Sequence, residues 1–211
     1  MKRVWCFGDS FTIGFDLSIS PKMTWRKDYA DFKGYVPKNY VEMLSEHYGY
    51  ELMNCAHDGA SNYTIFDEFC KNVTKIKKDD IVIFGWSEIT RFRLVTSTGW
   101  HTMGMWYIDN PKVVEDITYI THQTVKEILL HRNDNLDFYL DEVHNWIELI
   151  NCQLSDNIII HWTPFTQSGF NVENLYKFQT ITTETNGLIK NEHYGENGHR
   201  ELFEYIKEKY I

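Results

Sequence analysis

Four short apolar runs, spaced along the chain and separated by stretches of helical periodicity, constrain this sequence more than any other feature. The clearest is Ile81-Val82-Ile83-Phe84-Gly85-Trp86, which follows the polar turn Lys77-Lys78-Asp79-Asp80. A continuous β-branched and aromatic run is buried on both faces, as a strand of a parallel sheet is. Residues 2–7 (KRVWCF), 51–56 (ELMNCA) and 158–162 (IIIHW) read as three further strands. Between them, Tyr40, Val41, Leu44 and Tyr48 recur at helical spacing, and Gly49 is placed to stop that helix. Ser61 or Asn62 caps the next, whose inner face holds Ile65, Phe69, Val73 and Ile76. Residues 113–131, 136–150 and 197–209 carry three more helical patterns, whereas 16–35 reads as a long surface loop and 94–111 has no firm period. Strand and helix alternate, which predicts an α/β sandwich with a mostly parallel sheet.

A chain of 211 residues with 43% hydrophobic content can bury one good core. We expect a single domain over 1–211, with a helical insertion or cap at about 94–152. The formal net charge is -9, and an acidic surface repels phosphate backbones, so nucleic acid is disfavoured as a partner. No apolar run approaches membrane-spanning length, and the first strand follows Met1 too closely for a signal peptide, so the expected location is cytoplasmic. Cys6 and Cys55 read as small buried apolar residues. No nucleotide-cofactor or metal-ligand motif is present, so no cofactor and no metal is expected; His57-Asp58 alone is not a metal site.

Four segments carry chemistry. Gly8-Asp9-Ser10-Phe11-Thr12 follows the first strand, and a Ser on a strand-to-helix turn is presented at the sheet edge beside free backbone N–H groups. Asn54 to Asn62 follows the second strand and contains Gly59, whose N–H can approach a substrate because it has no Cβ. Gly85-Trp86-Ser87-Glu88 follows the third strand, and His193-Tyr194-Gly195-Glu196-Asn197-Gly198-His199 precedes the last helix. In a parallel sheet the first three lie together at the carboxyl ends of strands, where open α/β sheets bind ligands. Each residue also has a plainer reading: Ser10 as a helix cap, Gly59 as a turn former, His193 as a loop histidine, His199 as a packing residue. Asp9 is expected to shape its turn, and Glu88 to pair with Arg91 while Arg91 or Arg93 meets an anionic substrate.

These four blocks, in this order, resemble those of the SGNH/GDSL hydrolases, and they span residues 8 to 199. The resemblance implies a flavodoxin-like three-layer α/β/α fold and hydrolysis of carboxylic esters, with thioesterase or acyltransferase activity in some members. It assigns Ser10 as nucleophile, His193 as base and Gly59 as an oxyanion donor. Two positions depart from the family pattern. Ser87 stands where an Asn donates to the oxyanion, leaving Ser87 or Asn62 as the third donor. Lys190 stands where an Asp precedes the His by three residues. Glu192 in a reshaped loop, or a backbone carbonyl, would then orient His193.

The expected reaction is acyl transfer from a small-molecule or carbohydrate ester to water through Ser10, with activity rising through the ordinary histidine range near pH 6.5. The rival readings are an impaired scaffold that binds a ligand or a protein, and an acyltransferase. Trp100, Trp106 and Tyr107 are expected to wall the site.

Overall fold

The computed structural model describes residues 1–15, 24–96, 99–108, 122–166, 169–175 and 177–211. The chain opens with β1 (Arg3–Gly8), which passes directly into the single turn α1 (Ser10–Ile13). Helix α2 (Thr24–Lys33) comes next, then α3 (Tyr40–Tyr48), β2 (Glu51–Asn54), α4 (Asn62–Asn72) and β3 (Ile81–Gly85). A hairpin of β4 (Phe92–Thr96) and β5 (Gly99–Met103) leads to α5 (His122–Asp134) and α6 (Leu136–Gln153). The chain closes with β6 (Ile158–Thr163), the two-residue β7 (Glu173–Asn174), the turn α7 (Ile181–Glu184) and α8 (Glu196–Tyr210).

Five strands form one parallel sheet in the order β2-β1-β3-β6-β7. Alternation along each strand divides the core in two. Val4, Cys6, Ile81, Ile83, Ile160 and Trp162 face α3 and α8. Trp5, Phe7, Val82, Phe84 and Trp86 face α4 and α6. The result is three layers, helix on sheet on helix. Both faces being covered is why these strands read as unbroken apolar runs. Phe7 and Phe84 stack at 5.2 Å across the β1–β3 pair, and Phe69 of α4 meets both edge-on. Truncating such a ring to Ala costs about 3–5 kcal/mol.

Local signals set the helix ends. Asn39 caps α3 in a full capping box with Glu42, and Gly49 ends it at φ 67. Of the two candidate caps for α4, Ser61 is the one that caps, accepting from Thr64 N. Two expectations need correction. The loop expected over 16–35 contains α2, whose buried side is Arg26, Tyr29 and Ala30. A buried arginine and a mean composition that is polar conceal its inward stripe. Within 94–111, the stretch without a firm period, lie the end of β4 and all of β5, which pair antiparallel from Phe92 with Met103 to Thr96 with Gly99. The expected helix over 113–131 corresponds to α5 from His122 onward; 113–121 lie outside the described residues.

The order of strands fixes where a site can form. The chain leaves β1 toward β2 on one side and returns to β3 on the other. That reversal opens a crevice at the carboxyl ends of β1 and β3, where an open α/β sheet binds ligands. Among the described residues no helix is long and apolar enough to cross a membrane.

Candidate active site

Ser10 is the first residue of α1, immediately after the Asp9 cap. Asp9 is fully buried, and each of its oxygens is engaged. Its Oδ1 accepts from Phe11 N at 3.0 Å, and its Oδ2 accepts from Ser87 Oγ at 3.2 Å and Arg91 Nη1 at 3.1 Å. Burial pushes its carboxyl up from the usual range, and Arg91 pulls it back. Asp9 thus clamps the turn that presents Ser10, as its expected shaping role requires. Helix α1 is held from behind by Asn39 Nδ2, which donates to Thr12 O at 2.9 Å.

His193 reaches this turn from the opposite end of the chain. Its Nε2 lies 2.6 Å from Ser10 Oγ. Its Nδ1 lies 2.7 Å from Asn191 Oδ1, which also accepts from the His193 backbone N–H at 2.9 Å. A backbone N–H only donates, so that Asn191 atom is the amide oxygen, and Nδ1 must carry the ring proton. The Nε2 lone pair therefore faces the Ser10 hydroxyl. The loop that holds Asn191 and His193 is fixed to residues 180–182: Ile181 N donates to His193 O at 2.8 Å, Thr182 N to Asn191 O at 3.0 Å, and Asn191 N to Thr182 Oγ1 at 2.8 Å. Behind it, Gly198 lets α8 approach residue 179; a Cβ there would stand 2.2 Å from Gln179 O.

The imidazole is gripped on both faces. Phe11 and Trp25 each stack on it with ring centroids 4.6 Å away and interplanar angles of 26° and 16°. Two rings so close and so nearly parallel cannot share a face, so His193 lies between them. Burial lowers its pKa to about 4, helped by the Arg26 and Arg91 charges and opposed by Asp58. Arg26, 1% exposed, donates through Nε to Gly14 O at 2.7 Å and through Nη1 to Asp58 Oδ2 at 2.7 Å, with a second, parallel bond from Nη2 to Oδ1. This fork ties α2, which carries Trp25, to the turn after β2.

That turn contains Gly59 at φ +65, where a side chain would be strained. It lies against β1, since His57 N donates to Gly8 O at 3.0 Å. Among the described residues the N–H groups of Ser10 and Gly59 carry no hydrogen bond. Asn62 pairs with the Ser87 backbone: Nδ2 donates to Ser87 O at 3.0 Å and Oδ1 accepts from Ser87 N at 2.6 Å. One amide hydrogen of Asn62 stays unassigned.

The expected residues Ser10, His193, Gly59, Asn62 and Ser87 thus belong to turns that meet at the carboxyl ends of β1, β2 and β3. Ser87 needs correction as an oxyanion donor, because it is fully buried and its hydroxyl is engaged by Asp9. Glu192 needs correction too: its Oε1 accepts from Thr182 Oγ1 at 3.0 Å, and the ring nitrogens of His193 are taken by Asn191 and Ser10. Adjacent side chains point apart, and Asn191, two residues before His193, holds the ring instead. A carboxamide two residues upstream forms an Asx turn with the His193 N–H, which is a readable signal. Trp25, Arg26, Asp58 and Arg91 are the other residues that shape the site. His199 packs in the core, 3% exposed, among Phe15, Tyr40 and Tyr194. Tyr107 does not wall the site, since it is buried with Met103, Val125 and Leu129; the side chains of Trp100 and Trp106 lie outside the described residues.

No protein-family model matches the chain, and no curated protein matches it in sequence. Solved structures resemble it, among them the following three. A protein assigned to the G-D-S-L lipolytic family from Desulfitobacterium hafniense DCB-2 aligns over 99% of both chains at 13% identity, with a TM-score of 0.46. A lipase/acylhydrolase from Enterococcus faecalis covers 100% of this chain and 98% of its own at 16% identity and a TM-score of 0.42. The acetyl xylan esterase AlAXEase covers 99% of this chain and 100% of its own at 12% identity and a TM-score of 0.45. At these identities and TM-scores the likenesses decide nothing about chemistry, which rests on the geometry of Ser10, His193 and Asn191.

Proposed function

We propose that the chain is a serine ester hydrolase of SGNH/GDSL type, in which Ser10, His193 and Asn191 act as nucleophile, base and orienting group. The observation that carries this reading is the 2.6 Å contact between Ser10 Oγ and an Nε2 whose lone pair is left free by the Nδ1–H bond to Asn191. This is the geometry an activated hydroxyl needs.

Ser10 Oγ attacks the ester carbonyl while its proton passes to His193 Nε2. The Oγ–C bond forms, and the carbonyl electrons move onto oxygen. The N–H groups of Ser10 and Gly59, with the unassigned amide hydrogen of Asn62, receive that anion. Arg26 and Arg91 add positive field beside it. The C–O bond to the leaving alcohol then breaks as Nε2 returns the proton to that oxygen. Water repeats the sequence on the acyl-enzyme, giving the acid and free Ser10. The Asn191 carbonyl keeps the imidazole in its reactive tautomer throughout. The substrate class is a small-molecule or carbohydrate ester, and the hairpin with α5 forms a side lobe of one SGNH-like domain.

The test is labelling with a fluorophosphonate probe alongside hydrolysis of short-chain 4-nitrophenyl esters. Wild-type protein is expected to label at Ser10 and turn over the esters, and Ser10→Ala to do neither. Equal labelling of both proteins, or of neither, overturns the reading.

A further inference from the structure

A cavity of about 340 Å³ opens between α4, the start of β4 and the α5–α6 corner. Its lining includes Arg91, Arg93 and Arg132, which are three of the six arginines in a chain of net charge -9. Two of these guanidiniums lie over aromatic rings of the same cavity, Arg93 over Tyr63 at 4.2 Å and Arg132 over Tyr139 at 3.6 Å. Trp146 adds a third ring.

The charge of Arg132 has no direct counter-ion. Its Nε donates to Thr90 O and its Nη2 to Ile89 O, both at 3.0 Å, and no carboxylate lies within 4.0 Å among the described residues. Carbonyl oxygens hold the guanidinium in place without neutralising it. A partly buried cation of this kind favours an anion in the adjacent space. Arg91 also contributes: Nη1 is engaged by Asp9 and Nε lies 3.8 Å from Glu88 Oε2, while Nη2 has no partner among the described residues. Asp67 sits 3.4 Å from Arg93 and also serves Lys71 at 3.0 Å. Glu142, the one carboxylate in the lining, forms no ion pair within 4.0 Å among the described residues, but its charge acts on Arg132 from across the cavity and competes with any bound anion.

The cavity adjoins the Ser–His pair through Arg91. Arg91 bonds the residue before Ser10 and lies over Phe165 at 5.2 Å, and Phe165 meets the Phe11 ring that stacks on His193. We propose that this cavity receives an oxyanion, a carboxylate or a phosphate, carried on a flat ring of the substrate. Arg132 and Arg91 take the charge, and Tyr63, Tyr139 and Trp146 take the ring. Rings set beside guanidinium planes suit a planar anion better than an aliphatic chain. The statement that the bound group belongs to an ester rests on the hydrolase reading; the anion site itself does not.

The test is calorimetric titration of Ser10→Ala protein with benzoate, phenyl phosphate and the neutral benzyl alcohol. At least one of the two anions is expected to bind tenfold or more tightly than the alcohol, with an advantage that shrinks as salt is added. The tighter of the two identifies the oxyanion. In the same background Arg132→Gln is expected to remove the advantage, Arg132→Lys to restore part of it, and Glu142→Gln to enlarge it. Arg200→Gln, on the exposed face of α8, leaves it unchanged. Equal binding of all three probes, binding of none, or an advantage indifferent to both Arg132→Gln and Glu142→Gln overturns the proposal. Because Ser10 is absent from these titrations, failure here is distinct from failure of probe labelling.

Discussion

His193 and His161 are imidazoles built to one plan in two parts of the molecule. Each donates one ring N–H to an asparagine oxygen and accepts at the other nitrogen. In His161, on β6, Nδ1 accepts from Trp86 Nε1 at 3.1 Å and Nε2 donates to Asn151 Oδ1 at 3.0 Å. In His193 the roles of the nitrogens are reversed: Nδ1 donates to Asn191 and Nε2 accepts from Ser10. Burial lowers both pKa values to about 4, so both rings are neutral at pH 7. What separates them is the donor. An indole N–H has no nucleophilic lone pair to release, so the His161 bond is structural. A serine hydroxyl has one, and it sits at the topological switch of the sheet. A perturbed histidine is therefore not by itself a site; its partner's chemistry decides.

The largest expected effect separates the two rings by activity. His193→Gln is expected to lower kcat/KM for a 4-nitrophenyl ester by about 10⁴-fold, and His161→Gln to leave it within about threefold. Comparable losses in the two variants would make His193 a structural residue like its counterpart. The next effect concerns the two asparagines. A carboxylate behind a catalytic histidine is worth about 10⁴-fold, and a neutral carboxamide holds the tautomer without the charge, so Asn191→Leu is expected to cost about 10²-fold in kcat. Asn151→Leu should cost none. A KM change with unaltered kcat in Asn191→Leu would mean that Asn191 shapes binding and leaves the base alone.

A smaller effect lies in the pH profile. The ordinary histidine range predicts a limb near pH 6.5, but with the base at about 4 the limb moves down with it. The ring must be neutral to act, so kcat/KM should be flat from pH 5 to 8 and fall about tenfold per unit below pH 4. Asn191→Asp places a negative charge on Nδ1–H, favours the cation and should move the limb upward by about one unit. A wild-type limb that stays near 6.5 would show that the ring is more hydrated than its stack between Phe11 and Trp25 allows.

The strands and most helices were legible because covered sheets leave unbroken apolar runs, and caps such as Asn39 and Ser61 are read locally. Ser10, Gly59 and His193 were legible as residues on turns beside strand ends, and the structure brings those turns together. Helix α2 was not, because its inward side includes Arg26, and a charged residue buried against Asp58 and Gly14 O looks like surface in the sequence. Asn191 was hidden by expecting an acid at position 190 or at Glu192. The Asx turn that folds Asn191 back on His193 shortens the spacing by one residue; its signal is local, a carboxamide two residues before the His, and lies outside helix and strand periodicity. The Ser87–Asp9 bond joins residues 78 positions apart, so only the β1–β3 pairing could reveal it.

The smallest expected effect is on stability, and it isolates the structural ring. His161→Phe keeps an aromatic ring against Phe84, which stacks on His161 at 5.1 Å, but leaves Trp86 Nε1 without its acceptor. An unsatisfied buried N–H costs about 1–2 kcal/mol, read as a lower urea midpoint at pH 7 with unchanged slope and unchanged esterase activity. The cost should shrink on acidification. Because the folded value of His161 is about 4 against an ordinary 6.5, the unfolded chain takes the proton first as pH falls. Wild-type protein therefore loses this ring's share of stability between pH 6.5 and 4, and the Phe variant, having no proton to take there, does not. The two midpoints should converge and then cross within that window, because a shift from 6.5 to about 4 outweighs the initial cost of the lost acceptor. If they run parallel, His161 is already protonated in the folded state, and its likeness to His193 ends with the hydrogen-bond pattern.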